Sequence, residues 1–259
     1  MSFAAKLALR SADVYADFLM PYVTGASHVL DVGCGSGTIA IGLAQRVGRV
    51  TGVDLREDDF IAAREYAATH AMRNVEFQVG DIYALDVPDR GFDACLCHSI
   101  LETLDRPLDG LLEIKRTLRP GGVVAAACVE YGGLILAGPD IPLLRRFYDI
   151  RERLWHLERV ADPYRGRMLR GLLETAGYAR VAASSKYICY GTPDAVKSFG
   201  SDRAADCRDE WFSGAASEHG LATGNELESM ENAWVRWAAS SAAYAAFAWC
   251  RAIGWVPTG

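Results

Sequence analysis

The chain has 259 residues, 51% of them hydrophobic and 23% charged, with a formal net charge of −6. That is ample apolar material for one α/β core with an insertion, and the acidic balance argues against a nucleic-acid binder or a partner for anionic membranes, both of which call for a basic face. No apolar run reaches the ~20 residues of a membrane span. The seven cysteines are odd in number and form no CxxC pair, a usage that fits reduced, buried thiols in a cytoplasmic protein better than disulfides or a metal site. The opening Met1-Ser2-Phe3-Ala4-Ala5-Lys6 has neither the charged nor the apolar region of a secretory leader.

Residues 3–24 read as a helix, with Leu7, Ser11, Val14, Phe18 and Tyr22 at spacings of three and four until Pro21 and Gly25 punctuate the pattern. A first strand over 28–33 leads into Gly33, Gly35 and Gly37 and then a helix over 37–46. A second strand, 49–54, ends in Asp54, and acids open a helix over 56–72. Strands over 75–79 and 92–98 follow, then a helix over 107–118 that stops at Arg119-Pro120-Gly121-Gly122. The run 123–129 is nearly all apolar, as a buried central strand of a parallel sheet should be. Five strands alternating with helices predict a doubly wound α/β domain.

Beyond 130 the pattern changes. An amphipathic helix is predicted over 141–159, with Arg145, Arg146, Arg151, Arg153 and Arg159 on its other face, read as a solvated face in preference to an anion site. A helix over 165–176 stops at Gly177, and a long strand covers 179–190. Thr192-Pro193 reads as an N-cap with proline at the first helical position, opening an irregular helical insertion over 192–240. The aromatic-rich run 243–252 is compatible with a helix or a strand; it is taken as a strand that returns beside 179–190.

The glycine turn selects the cofactor. A dinucleotide fingerprint needs Gly or Ala where Thr38 stands. No Lys-Ser/Thr follows the glycines, so the turn is not a triphosphate loop either. Asp31 would repel a pyrophosphate but suits a cationic group such as an ammonium or sulfonium. From here the chain resembles a known family. Asp31-Val32-Gly33-Cys34-Gly35-Ser36-Gly37 resembles the first motif of the class I S-adenosylmethionine-dependent methyltransferases. Asp54, Gly80-Asp81-Ile82, the stretch Phe92-Asp93-Ala94 through His98-Ser99-Ile100-Leu101-Glu102, and Leu118-Arg119-Pro120-Gly121-Gly122 match later motifs in order, over about residues 25–130. The nearest likeness is to the small-molecule enzymes related to ubiquinone and menaquinone biosynthesis.

The resemblance implies a Rossmann-like, mostly parallel seven-stranded sheet with a helical cap. It implies one methyltransferase domain over 1–259, with its core at 25–191 plus a last strand at 243–252 and cap elements from 1–24, 131–160 and 192–240. It implies S-adenosylmethionine as donor and S-adenosylhomocysteine as product. In the binding roles, Gly33 and Gly35, with Cys34 between them, let backbone pass close to the cofactor's amino-acid portion, which Asp31 orients. Asp54 accepts from the ribose hydroxyls, or caps the helix that follows. Asp81 accepts from the adenine amino group, or merely forms a turn after Gly80. Ile82 packs on the ring, Leu55 lines the adenosine pocket, and His98 lies where the methyl group should sit, or is a locally satisfied imidazole. His98 and Glu102 are the candidate catalytic bases, with His156 a distant third.

No Asn/Asp-Pro-Pro-Tyr run follows the fourth strand, which favours a small acceptor over a nucleic acid. Tyr131, Phe147, Tyr148, Trp155, Trp211, Phe212, Trp234 and Trp237 supply aromatic surface for an apolar or aromatic acceptor, or for a homodimer contact. Two other readings compete: a cofactor-binding protein of the same fold with a cyclase-like or structural role, and a nicotinamide oxidoreductase, which Thr38 opposes.

Overall fold

The computed structural model describes residues 10–258. Its strands are β1 (His28–Val32), β2 (Arg49–Asp54), β3 (Val75–Val79), β4 (Phe92–His98), β5 (Leu118–Ala137), β6 (Ala179–Tyr190) and β7 (Tyr244–Trp255). They form one seven-stranded sheet in the order β3-β2-β1-β4-β5-β7-β6. The pairings of β1 with β2 and β4, of β2 with β3 and of β4 with β5 are all parallel. The Rossmann-like, mostly parallel sheet expected from the sequence is therefore present, and the ambiguous aromatic run near the end is strand β7, beside β6.

The helices are α1 (Ala12–Tyr15), α2 (Thr38–Ala44), α3 (Ile61–Thr69), α4 (Pro107–Thr117), α5 (Ile141–Leu157), α6 (Leu169–Thr175), α7 (Pro193–Asp206), α8 (Glu210–Glu218) and α9 (Gly224–Ala238). Three expectations need correction. The helix expected over 3–24 lies partly outside the described residues; from residue 10 onward it is only the single turn α1 and a 3-10 turn at Met20–Tyr22, broken by Pro21. The acids Glu57–Asp59 make a separate 3-10 turn before α3 instead of opening one long helix. The Arg-Pro-Gly-Gly stop does end α4, but it sits inside β5 as an irregularity. Phe92 pairs with Leu118 and Ala94 with Val123, so extra residues bulge out of β5, with Gly121 at φ 78°.

The residues divide into two compact units. One holds the chain up to Cys128 with Arg165–Ser185 and the segment from Cys250; the other holds Val129–Tyr164 and Lys186–Trp249. In the first, strand alternation builds two cores. Val29, Val50, Leu96 and Ala125 pack with Ile41 and Leu43 of α2 and Phe60 before α3. Their neighbours Leu30, Val53, Cys97 and Ala126 face the other way, onto Leu111 and Ile114 of α4 and Leu169 and Leu173 of α6. All seven cysteines are free, and Cys95, Cys97 and Cys128 are buried in this core.

The second unit has its own core, built on Phe147, Phe212, Trp234 and Trp237. Thr192 caps α7 by accepting from the Ala195 N–H at 3.3 Å, as its sequence suggests. Thr223 and Glu226 form a reciprocal capping box at α9. The arginine face of α5 is only partly solvated: Arg146 donates to the Leu221 carbonyl at 2.6 Å and Arg151 to Asp206 at 2.9 Å. Among the described residues no helix is long and apolar enough to cross a membrane.

Gly37, at the start of α2, has φ 72°, and a Cβ there would lie 2.6 Å from Ala63 Cβ and 2.7 Å from Phe77 Cε1. Gly37→Ala is expected to cost about 2–4 kcal/mol, from left-handed strain and overpacking together. Urea unfolding followed by circular dichroism measures it; a loss within error of zero would show that the turn relaxes freely.

Candidate functional site

In the sheet order, β1 is flanked by β2 on one side and β4 on the other, the switch point at which doubly wound sheets open a crevice beyond their strand ends. The turn after β1 occupies that place. Gly33, Gly35 and Gly37 all have positive φ, at 72°, 50° and 72°, which only glycine adopts without strain. Gly33 packs against Ile100 so closely that a Cβ would meet it at 2.9 Å, whereas a Cβ on Gly35 would meet nothing within 4 Å. The outer glycines thus serve packing, and the middle one leaves an open face beside the backbone.

The turn is tied to β2. Gly33 and Cys34 N–H both donate to the Val53 carbonyl, at 2.8 and 3.1 Å. The Gly35 N–H donates to Asp54 Oδ2 at 2.6 Å, and the Leu55 N–H to Asp54 Oδ1 at 2.8 Å. Each carboxylate oxygen has lone-pair capacity beyond one such bond, so Asp54 is oriented without being saturated. Asp81 is fixed similarly: its Oδ1 accepts from the Tyr83 N–H at 2.9 Å.

These groups line a cavity of about 260 Å³ whose wall includes Gly33, Asp54, Leu55, Asp81 and Ile82. The same wall includes Tyr83, Ile100, Thr103, Leu104 and Asp105, which sequence reasoning did not single out. Their signal was positional only: they lie just after β3 and β4, on turns whose side chains must face the crevice. Leu55 is exposed and Ile82 buried, so the cavity pairs an exposed apolar rim with a buried apolar floor.

Asp31, Cys34, Gly35, His98 and Glu102 are not part of that wall. Asp31 is buried on β1, and its Oδ2 has no hydrogen-bond partner. Burial lifts its carboxyl to about 7; Arg10 opposes the shift and Asp54 adds to it. Burial, with Asp31 and Asp54 nearby, pushes the Cys34 thiol well above its usual range, so it stays protonated.

His98, buried at the end of β4, has Nδ1 3.1 Å from an Arg10 guanidinium nitrogen and stacks edge-on with Tyr15 at 5.1 Å. A guanidinium only donates, so Nδ1 accepts and the imidazole proton resides on Nε2. Burial, helped by the Arg10 charge, lowers the imidazole to about 3. In this arrangement His98 is a neutral hydrogen-bond donor. Glu102 accepts from the Ser99 hydroxyl at 2.9 Å, across a turn in which Ser99 has φ 62°. His156 is on α5, in the second unit.

A doubly wound sheet, a glycine turn at its switch point and acids closing the next two strands define a nucleotide-cofactor fold. Residues 29–122 match the family model for a methyltransferase domain. The chain is 29% identical over 204 residues to an uncharacterized methyltransferase of Schizosaccharomyces pombe, covering 73% of this chain and 71% of that one. It is 35% identical over 95 residues to the ubiquinone biosynthesis O-methyltransferase of Coxiella burnetii, covering 37% of this chain and 40% of that protein. Among solved structures it is similar to the YcgJ protein of Bacillus subtilis, with a TM-score of 0.61 at 17% identity, covering 94% and 98% of the two chains. It is also similar to phosphoethanolamine N-methyltransferase 2 of Haemonchus contortus, solved with S-adenosylhomocysteine, with a TM-score of 0.59 at 17% identity, covering 94% of this chain and 52% of that one. Residues 29–122 thus match a methyltransferase domain, and the chain has the Rossmann-like fold of these solved methyltransferases.

The two buried titratable groups give opposite pH dependences. Asp31 is raised in the fold, so the folded state holds its proton more tightly, and its contribution is lost as pH rises from about 4 to about 7. His98 is lowered, so its contribution is present above about 6.5 and lost as pH falls toward 3. Asp31→Asn should therefore gain stability over the parent as pH rises from about 4 to about 7, and His98→Gln should lose less than the parent on acidification below 6.5. Denaturation midpoints across pH 4–8 check both, and parallel curves for parent and variants would contradict the assignments.

Proposed function

We propose that this protein transfers a methyl group from S-adenosylmethionine to a small acceptor. The observation that carries the reading is the cavity that gathers Gly33, Asp54, Leu55, Asp81 and Ile82 at the ends of β1, β2 and β3. Two further features fit that cofactor. Gly35 leaves open space where a side chain would otherwise stand, and Asp31 presents a buried, unpartnered carboxylate oxygen that suits a cationic group. A pyrophosphate beside that carboxylate would be repelled, which disfavours a nicotinamide dinucleotide.

When bound, S-adenosylmethionine supplies a methyl group on a sulfonium, which departs as a neutral thioether. The protein's task is then mainly to hold and align. Asp54, fixed beforehand by two backbone N–H groups, accepts from the ribose hydroxyls with little ordering cost. Asp81 accepts from the adenine amino group, while Ile82 and Leu55 cover the ring. Asp31 faces the amino-acid portion, and Gly33, Cys34 and Gly35 carry the backbone past it. His98, with its proton on Nε2, is assigned as a hydrogen-bond donor that positions, because an imidazole lowered to about 3 has little capacity as a base at neutral pH. Glu102 holds the turn after β4 through Ser99. The acceptor is a small molecule; the acidic balance of the chain opposes a nucleic acid.

Titration calorimetry tests the reading. S-adenosylhomocysteine should bind and NAD should not, and Asp54→Ala should weaken binding by about tenfold or more, in line with losing charged hydrogen bonds, while the thermal transition stays cooperative. Binding of NAD in place of S-adenosylhomocysteine, or an Asp54→Ala protein with unchanged affinity, would overturn it.

A further inference from the structure

The second unit holds a polar cluster inside its aromatic core. Arg151 on α5 and Arg203 on α7 converge on one carboxylate oxygen: Asp206 Oδ2 lies 2.9 Å from Arg151 Nη1 and 2.8 Å from Arg203 Nε. Two guanidiniums thus share one acid, leaving one positive charge over. Glu152, the next acid along α5, is taken up by the Tyr164 hydroxyl, and Glu130 accepts from the Gly132 N–H.

The polar atoms without partners point to the same imbalance. Arg151 Nε and Trp234 Nε1 are buried without a hydrogen-bond partner, the Tyr148 hydroxyl meets only Arg203, itself a donor, and Tyr148 and Trp234 are only 5% and 0% exposed. These rings adjoin one another: Tyr148 packs edge-on against Tyr131 at 5.8 Å and Trp234 at 6.0 Å. Burial pushes the Tyr131 and Tyr148 hydroxyls above their usual range, with the arginines pulling the other way, so both remain protonated donors. A native fold rarely leaves a group of buried donors unmatched, and here every unmatched atom can donate. What the cluster lacks is an acceptor of negative charge. Arg151 and Arg203 keep 20% and 23% of their side-chain surface exposed, so a small ligand can reach them.

We propose that Arg151, Arg203 and Tyr148 form an oxyanion-binding site that takes a small carboxylate with an apolar body. The single surplus charge matches a monoanion; a phosphate dianion would leave a negative charge buried. The planar guanidinium forks fit a carboxylate, and Tyr131 and Trp155, both only partly buried, offer aromatic surface to the rest of the ligand. The site lies wholly within the second unit and stands or falls apart from the methyl-transfer reading.

The test is titration calorimetry on the full chain with benzoate, the neutral isostere benzamide and inorganic phosphate, with S-adenosylhomocysteine affinity measured in the same samples. Benzoate should bind and benzamide should not. Arg203→Met should weaken benzoate binding by about tenfold or more, the scale of losing a charge-assisted bond. Tyr148→Phe should weaken it several-fold while the unliganded protein keeps a cooperative thermal transition, since only the contact with Arg203 is removed. If Arg203→Met does not fold, Tyr148→Phe decides alone. Equal binding of benzoate and benzamide, no binding of benzoate, or benzoate binding indifferent to these variants would overturn the site; phosphate binding tighter than benzoate would overturn its ligand class. Loss of S-adenosylhomocysteine binding alone would count against the methyl-transfer reading and leave this one standing.

Discussion

The bond from the Gly35 N–H to Asp54 Oδ2, at 2.6 Å, is the constraint from which the proposed cofactor site follows. It ties the glycine turn after β1 to the last residue of β2, and with the Val53 carbonyl accepting from Gly33 and Cys34 it fixes the mouth of the crevice. A neutral side chain at 54 would lose the charge-assisted bond and release the turn. A side chain at 33 or 37 would collide with Ile100 or with Ala63 and Phe77. Position 35 is different: nothing in the protein needs that space, yet its φ of 50° still demands glycine. Packing and the proposed binding therefore draw on separate members of one motif.

Beneath that mouth, the first unit keeps a carboxyl and an imidazole out of water in opposite ways. Asp31 is lifted toward 7 and His98 depressed toward 3, both chiefly by burial. Arg10 acts on both: it eases ionisation of Asp31 and opposes protonation of His98. One exposed guanidinium near the start of the described chain thus biases the site toward a carboxylate beside a neutral imidazole. That combination suits a cationic ligand portion next to Asp31 and a donor, not a base, at His98. Chemistry that relies on alignment tolerates this, since proximity supplies much of the rate when the leaving group is good.

Much of the first unit was legible because its signals are local. Strand ends, the glycine spacing and the acids at 54 and 81 are each set by a few neighbouring residues, and the parallel sheet then brings them together. What stayed hidden depends on distant partners. The role of His98 turns on Arg10, 88 residues away, and no spacing rule links them. Tyr83, Thr103 and Asp105 reach the cavity through the turns that carry them, not through a motif. The run from 3 to 24 shows the limit of periodicity: its spacings suit a helix, but Pro21 and the packing of Ala12, Ala16 and Leu19 into the first unit's core leave only short turns from residue 10 onward.

The second unit is harder to read for a related reason. Its arginines on α5 have the spacing of a solvated face, and a helical wheel cannot tell Arg145, which faces outward, from Arg151, which does not. The difference lies in α7, which supplies Asp206 and a second arginine 52 positions further along. Buried charge is costly unless matched, so the count of charges around Asp206 carries information that no single helix holds. Phe147, Phe212, Trp234 and Trp237, candidates for ligand surface from sequence alone, are fully buried structural core. The recognisable chemistry of this unit therefore sits not in its many aromatic rings but in the few polar atoms that those rings enclose and leave without an acceptor.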